Sequence, residues 1–150
     1  MFISSTYWSD TIGLRAALTT MQEVRKRNVP AQLWKFGAEL KRQIDAVARE
    51  VGLDAHCTGI DVHPHLHIAV TDPQQKAAVN TLYIQEMAKR GCHGYASFYL
   101  NAAQGDAELK QTADAAREAF TIIRDAMASG TVEQRLECLV QQDAFRRLVR

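Results

Sequence analysis

The sequence predicts an α+β fold, with about three short strands covered by four to five helices. Three observations carry that expectation. Long stretches place apolar residues at steps of three and four; short β-like pieces interrupt them between Cys57 and Val70 and again at Gly94–Leu100; and glycine or proline stands at most of the junctions.

A first helix is expected from about Asp10 to Arg27, where Ile12, Leu14, Ala17, Leu18, Met21 and Val24 build an apolar stripe. Pro30 stops it and opens a second helix, because proline suits a first helical turn. Leu33, Phe36, Leu40, Ile44, Val47 and Val51 recur along that helix until Gly52 ends it. Strands are expected at Cys57–Val62 and His65–Val70, broken at Pro64. Asp72-Pro73 turns the chain into a third helix, about Gln75 to Arg90, with a cationic last turn and an exit at Gly91. Gly94 to Leu100 reads as a third strand. Gly105-Asp106 starts a long helix to about Ala128, carrying Leu109, Ala113, Ala116, Phe120, Ile123 and Met127. Gly130 ends it, and Thr131 with Gln134 at capping-box spacing predicts a last helix. No repeat, low-complexity segment or linker divides the chain.

Bulk composition narrows the function. A chain of 150 residues with 47% apolar and 23% charged residues suffices for one domain with a core. A net charge of +1 provides no field of one sign for nucleic acid or an anionic membrane surface. The basic run Arg25-Lys26-Arg27 reads as a solvated helix C-terminus. No apolar run approaches a membrane span, no signal peptide is read, and 3 cysteines without metal spacing predict reduced thiols in the cytoplasm.

The most informative stretch is the start, where Ser4-Ser5-Thr6 runs through Tyr7-Trp8 into the first helix. Hydroxyls just ahead of a helix start offer donors to an anion such as a phosphate. Phe2 to Gly13, Phe-Ile-Ser-Ser-Thr-Tyr-Trp-Ser-Asp-Thr-Ile-Gly, resembles a sub-pattern of the class III pyridoxal-phosphate (PLP) aminotransferases, the group that contains glutamate-1-semialdehyde aminomutase. Ala16-Ala17-Leu18 continues as the family helix does. Leu82 to Gly91 is similar to the family helix ending in Glu-Met-x-x-x-Gly, and Tyr99 to Asp106 with Thr112 to Phe120 to its strand, acidic turn and closing helix. The common Gly-Asn-Pro is here Ser9-Asp10-Thr11, a departure from the usual loop.

The resemblance implies the small C-terminal domain of a fold-type-I PLP enzyme, over residues 1–150. Within it, 1–9 is a cofactor-phosphate loop, 10–28 a linking helix and 29–150 the α+β unit. It implies PLP as cofactor, a homodimer, and a small amino or oxo acid as substrate. Thr6 takes the place of the family threonine that donates to the cofactor phosphate of the neighbouring subunit. Ser5 stands where the family has glycine, and its hydroxyl either adds a donor or caps the loop. The lysine that forms the Schiff base belongs to an N-terminal PLP-binding domain, and Lys26, Lys35, Lys41, Lys76, Lys89 and Lys110 do not match its motif. The chain is therefore expected to hold no catalytic residue and to be inactive alone.

Other features have plainer readings. His63, His65 and His67 alternate on a strand and share one face, with His56 and Cys57 near. Imidazoles so spaced could take zinc or nickel. A solvent-facing row opposite Leu66 and Ile68 is the simpler account, so no resident metal is assigned. Tyr7 and Trp8 fit either a substrate pocket or a subunit contact, Trp34 a contact with the rest of the enzyme, and Arg15 a solvated helix position. The rival functions are a stand-alone helical binding module and a histidine-strand metal protein.

Overall fold

The computed structural model describes residues 6, 7 and 10–141, apart from the side chain of Gln74. Its elements in chain order are α1 (Thr11–Lys26), α2 (Val29–Val51), β1 (Ala55–Thr58), β2 (His65–Ile68), α3 (Pro73–Lys89) and α4 (Asp106–Ser129), followed by one 3-10 turn (Glu133–Arg135). None of the described helices is long and apolar enough to cross a membrane.

Local chemistry sets these boundaries. The Asp10 carboxylate accepts from the Ile12 N–H at 3.0 Å and starts α1. Pro30 occupies the first turn of α2, and Gly52, at φ 72°, ends it in the left-handed conformation that glycine adopts at least cost. The Arg124 guanidinium of α4 donates to the Val51 carbonyl at 2.7 Å, satisfying an acceptor orphaned at the end of α2. At the start of α4, Glu108 Oε2 accepts from the Gly105 N–H at 2.8 Å. That is the glutamate half of a capping box, the other half needing a side chain that glycine lacks. Glu108→Ala is expected to lower the urea midpoint at unchanged slope.

The core lies between α2, α3 and α4. Leu40, Ile44, Val47 and Ala48 of α2 face Val79, Leu82 and Tyr83 of α3 and Ala116, Phe120 and Ile123 of α4. Alanines along α4 keep that face thin, so the large side chains opposite can reach inward. Tyr83 and Phe120 sit with ring centroids 6.2 Å apart. α1 contributes nothing to this core, because none of its residues is buried.

β1 and β2 pair antiparallel, with His56 opposite His67 and Cys57 opposite Leu66. The expected third strand, Gly94–Leu100, does not form. It makes a single bridge, Ser97 to His65, closed by Leu66 N–H to Ala96 O at 2.7 Å and Phe98 N–H to Pro64 O at 2.9 Å. Pro64 has no N–H with which to extend the ladder, so pairing stops there. The first two strands are also shorter than Cys57–Val62 and His65–Val70, and the sheet has 2 strands rather than three.

Through residue 141, the expected last helix is represented by the turn Glu133–Arg135, and its remainder lies outside the described residues. Thr131 caps nothing and instead shares a hydrogen bond with Ser129 Oγ at 2.7 Å. Beyond the turn the backbone is claimed by α3. The Gln85 amide donates to Arg135 O at 3.0 Å and accepts from Glu137 N–H at 2.7 Å, and Thr81 Oγ1 accepts from Gln141 N–H at 2.9 Å. Leu136 and Val140 pack on the core from this extended strap.

Candidate functional site

Thr6 and Tyr7 form an exposed turn leading into α1, where the Tyr7 carbonyl accepts from the Asp10 N–H at 3.0 Å. Ser5, Trp8 and Ser9 lie outside the described residues. Of Ser4-Ser5-Thr6 in the hydroxyl-rich approach to α1, Thr6 lies within the described residues. Asp10 fills the Ile12 amide and adds a negative charge at that helix end. Thr6 is exposed and offers a phosphate a hydroxyl and a backbone N–H. They fit an anion in kind. Arg15 is exposed on α1, beside an apolar stripe in which Ile12 is 79% and Met21 62% exposed, and Trp34 of α2 is half exposed.

The lysines are placed for solubility and ion pairing. Lys35, Lys76 and Lys110 are exposed, the last paired with Asp114 of its own helix. Lys41 meets Asp61 Oδ1 at 3.0 Å and the Gly59 carbonyl at 2.9 Å. Lys89 lies 2.6 Å from Glu137 and 3.0 Å from Glu86, which together hold its ammonium above the ordinary lysine range. Lys26 is exposed, 3.5 Å from Glu23. A Schiff-base lysine needs the opposite environment, one that favours the neutral amine. These side chains do not fit the carbonyl carbon of PLP.

On β2, His65 and His67 face solvent while Leu66 and Ile68 are buried, the alternation expected for a strand with one wet face. Cys57 points the other way, into the core, where burial and then the Asp45 carboxylate push its thiol up to about 12. It is therefore not near the imidazoles, and its thiol is inert. His56 and His67 face each other across the ladder with centroids 5.2 Å apart. His63 lies 4.4 Å from His65 and 4.6 Å from Tyr99. No group of three or more metal-ligating side chains converges among the described residues.

One charged residue that sequence reasoning passed over is buried. The Glu86 side chain is 8% exposed, and its oxygens receive Arg90 Nη1 at 2.8 Å, Lys89 Nζ at 3.0 Å and Gln85 Nε2 at 3.0 Å. Burial alone would raise its pKa; the donors from Gln85, Arg90 and Lys89 outweigh it and hold the carboxyl at about 2. Arg90 continues to Glu118 of α4 at 2.7 Å, so the network ties α3 to α4. The signal was present: residue 86 continues the inner stripe of Val79, Leu82 and Tyr83.

A cavity of about 250 Å³ opens between Phe36, Tyr83, Met87, Tyr95, Tyr99 and Leu100. Three of the polar groups on its rim are already committed. Gln104 accepts from Asn101 N–H, Glu108 from Gly105 N–H, and Gln111 donates to Arg90 O.

No protein-family model matches the sequence. Over 128 residues the chain is 25% identical to the aminopentol aminotransferase of Sphingopyxis macrogoltabida, a match spanning 83% of this chain and 30% of the relative. Its fold superposes on the FumI protein of Sphingopyxis sp. MTA144, solved in its PLP internal aldimine form, with a TM-score of 0.75 at 21% identity over 86% of this chain and 31% of that one. An omega-transaminase from Sphaerobacter thermophilus gives a TM-score of 0.68 at 22% identity, over 83% of this chain and 31% of that one. The chain is thus similar, in sequence and in fold, to a segment of PLP-dependent aminotransferases that makes up about 30% of their length.

Proposed function

We propose that this chain serves as the C-terminal portion of a class III PLP-dependent aminotransferase or aminomutase, acting on a small amino or oxo acid in a cytoplasmic homodimer. The observation that carries the reading is the superposition of 86% of the chain on 31% of a PLP enzyme. The names of the relatives favour the aminotransferase over the aminomutase. PLP supplies the electron-withdrawing ring and the carbonyl carbon of amino-group transfer when bound. The lysine that would hold it lies in the remaining two thirds of such an enzyme.

In this reading the chain binds and shapes rather than reacts. Thr6 donates its hydroxyl and N–H to the cofactor phosphate across the dimer, with Ser5 beside it. Two donors from one residue fix a dianion without a flexible side chain. The core of α2, α3 and α4 is a rigid support that holds its side of the substrate channel in place. The exposed stripe of α1 and Trp34 packs against the lysine-bearing domain.

The purified chain, supplied with PLP, an amine donor and a 2-oxo acid, is expected to show no transaminase turnover. Turnover above the PLP-only rate would contradict the proposal. A stand-alone binding module, the rival reading, requires α1 to be covered by this chain itself, and no residue of α1 is buried.

A further inference from the structure

We propose that His63 and His65 form a two-imidazole site for a divalent transition-metal ion, Zn²⁺, Ni²⁺ or Cu²⁺, coordinated through their Nε2 atoms and completed by water. The first argument is spacing. Two imidazoles that share one ion through nitrogens at about 2.0–2.1 Å, in tetrahedral or square geometry, have ring centres roughly 4.5–5.2 Å apart. His63 and His65 stand at 4.4 Å, just below that span, and His56 and His67 at 5.2 Å lie at its upper end, so spacing admits either pair and ring orientation chooses between them.

The second argument is orientation. A ligating histidine characteristically donates its other ring N–H to a fixed acceptor, which sets the tautomer and aims the free nitrogen. His63 Nδ1 lies 3.2 Å from the Phe98 carbonyl. A carbonyl only accepts, so that nitrogen carries the proton and Nε2 keeps its lone pair. His65 Nδ1 lies 2.8 Å from Ser97 Oγ, a hydroxyl able to accept in the same sense. Both partners come from the segment that replaces the third strand, and the bridge between Ser97 and His65 positions them.

The third argument is access. His65 is exposed, and the adjacent Gly59 carries no side chain. A Cβ at Gly59 would stand 3.0 Å from His65 Cδ2, the carbon bonded to Nε2, so glycine leaves that ring edge open. Only two protein nitrogens meet, so the site is exchangeable and distinct from a resident structural metal, which takes four ligands. The order of affinity follows general imidazole preference, with Cu²⁺ above Ni²⁺ and Zn²⁺.

The test is a Zn²⁺ titration of the chain followed by the NMR signals of its imidazole nitrogens, with Ni²⁺ calorimetry on variants. The expected result is one ion per chain, a coordination shift at Nε2 of His63 and His65, and binding weakened at least about tenfold in His63→Gln and in His65→Gln. His56→Gln and His67→Gln, across the sheet face, leave it unchanged. Should the partly buried His63 variant fail to fold, His65→Gln and the wild-type nitrogen shifts carry the test. Absence of binding, or shifts and losses confined to His56 and His67 or spread equally over all these positions, would overturn the proposal.

Discussion

Gly37→Ala is expected to destabilise the fold by about 3 kcal/mol, although alanine is the better helix former by about 1 kcal/mol. Gly37 is buried in α2, where the loop after β1 crosses the helix. A Cβ there would stand 1.6 Å from the Asp61 carbonyl oxygen, 2.6 Å from its carbon and 2.9 Å from Leu100 Cδ1. The first two contacts are with backbone, which cannot rotate away as a side chain would. The loop must lift, and it would take with it the bonds from Lys41 to Gly59 and Asp61. Against a total stability of about 5–15 kcal/mol, that loss is visible in a single urea titration. An unchanged or raised midpoint would mean that the loop does not cross α2 at this distance.

Glu86→Gln is expected to lower stability by about 2 kcal/mol near neutral pH, and to remove part of the acid sensitivity of the protein. The substitution keeps the shape and deletes the charge that faces Arg90 and Lys89. The Glu86 carboxyl lies at about 2 in the fold against 4.5 for a free glutamate, so its contribution is present in full above 4.5. As pH falls from 4.5 towards 2, the unfolded chain takes up this proton before the folded one does, and the contribution is lost. Unfolding midpoints of wild type and variant should therefore converge on acidification through that window. Parallel curves would show that the carboxylate is not selectively stabilised by its donors. Comparison of the two proteins cancels the other acids held low, Glu39 and Glu50 among them.

The helices were legible because each announces itself in several ways at once. In α2 the spacing of Leu40, Ile44, Val47 and Val51, the proline at its first turn and the glycine at its end agree. The strands were less so. Tyr95, Phe98 and Tyr99 have the β-forming character of a strand, but a strand also needs a partner edge, and Pro64 shortens the one available. The capping pattern at Thr131 and Gln134 was a real local signal, overridden by Gln85 and Thr81, which lie some 50 residues away in sequence and bind the following backbone directly. The close approach at Gly37 has no local signature, because it depends on where a loop from another part of the chain returns.

The candidate site divides in the same way. Thr6 was singled out by its motif, and its exposed position is consistent with that role, while the loop residues around it lie outside the described residues. At the start of α1, the Asp10 carboxylate takes the Ile12 amide. The histidine row was readable as alternation on a strand. What distinguishes His63 and His65 within it, the Phe98 carbonyl and the Ser97 hydroxyl at their Nδ1 atoms, comes from a segment more than thirty residues on.

The most direct test of the assignment is the intact mass of the purified chain after incubation with PLP and borohydride trapping, beside a denatured control for non-specific lysine labelling. The expected result is no stoichiometric adduct on any one lysine, because each is exposed or ion-paired and, in the proposed reading, the Schiff-base lysine belongs to the rest of the enzyme. A single stoichiometric adduct at one position would contradict it, and would mean that this chain holds the cofactor by itself.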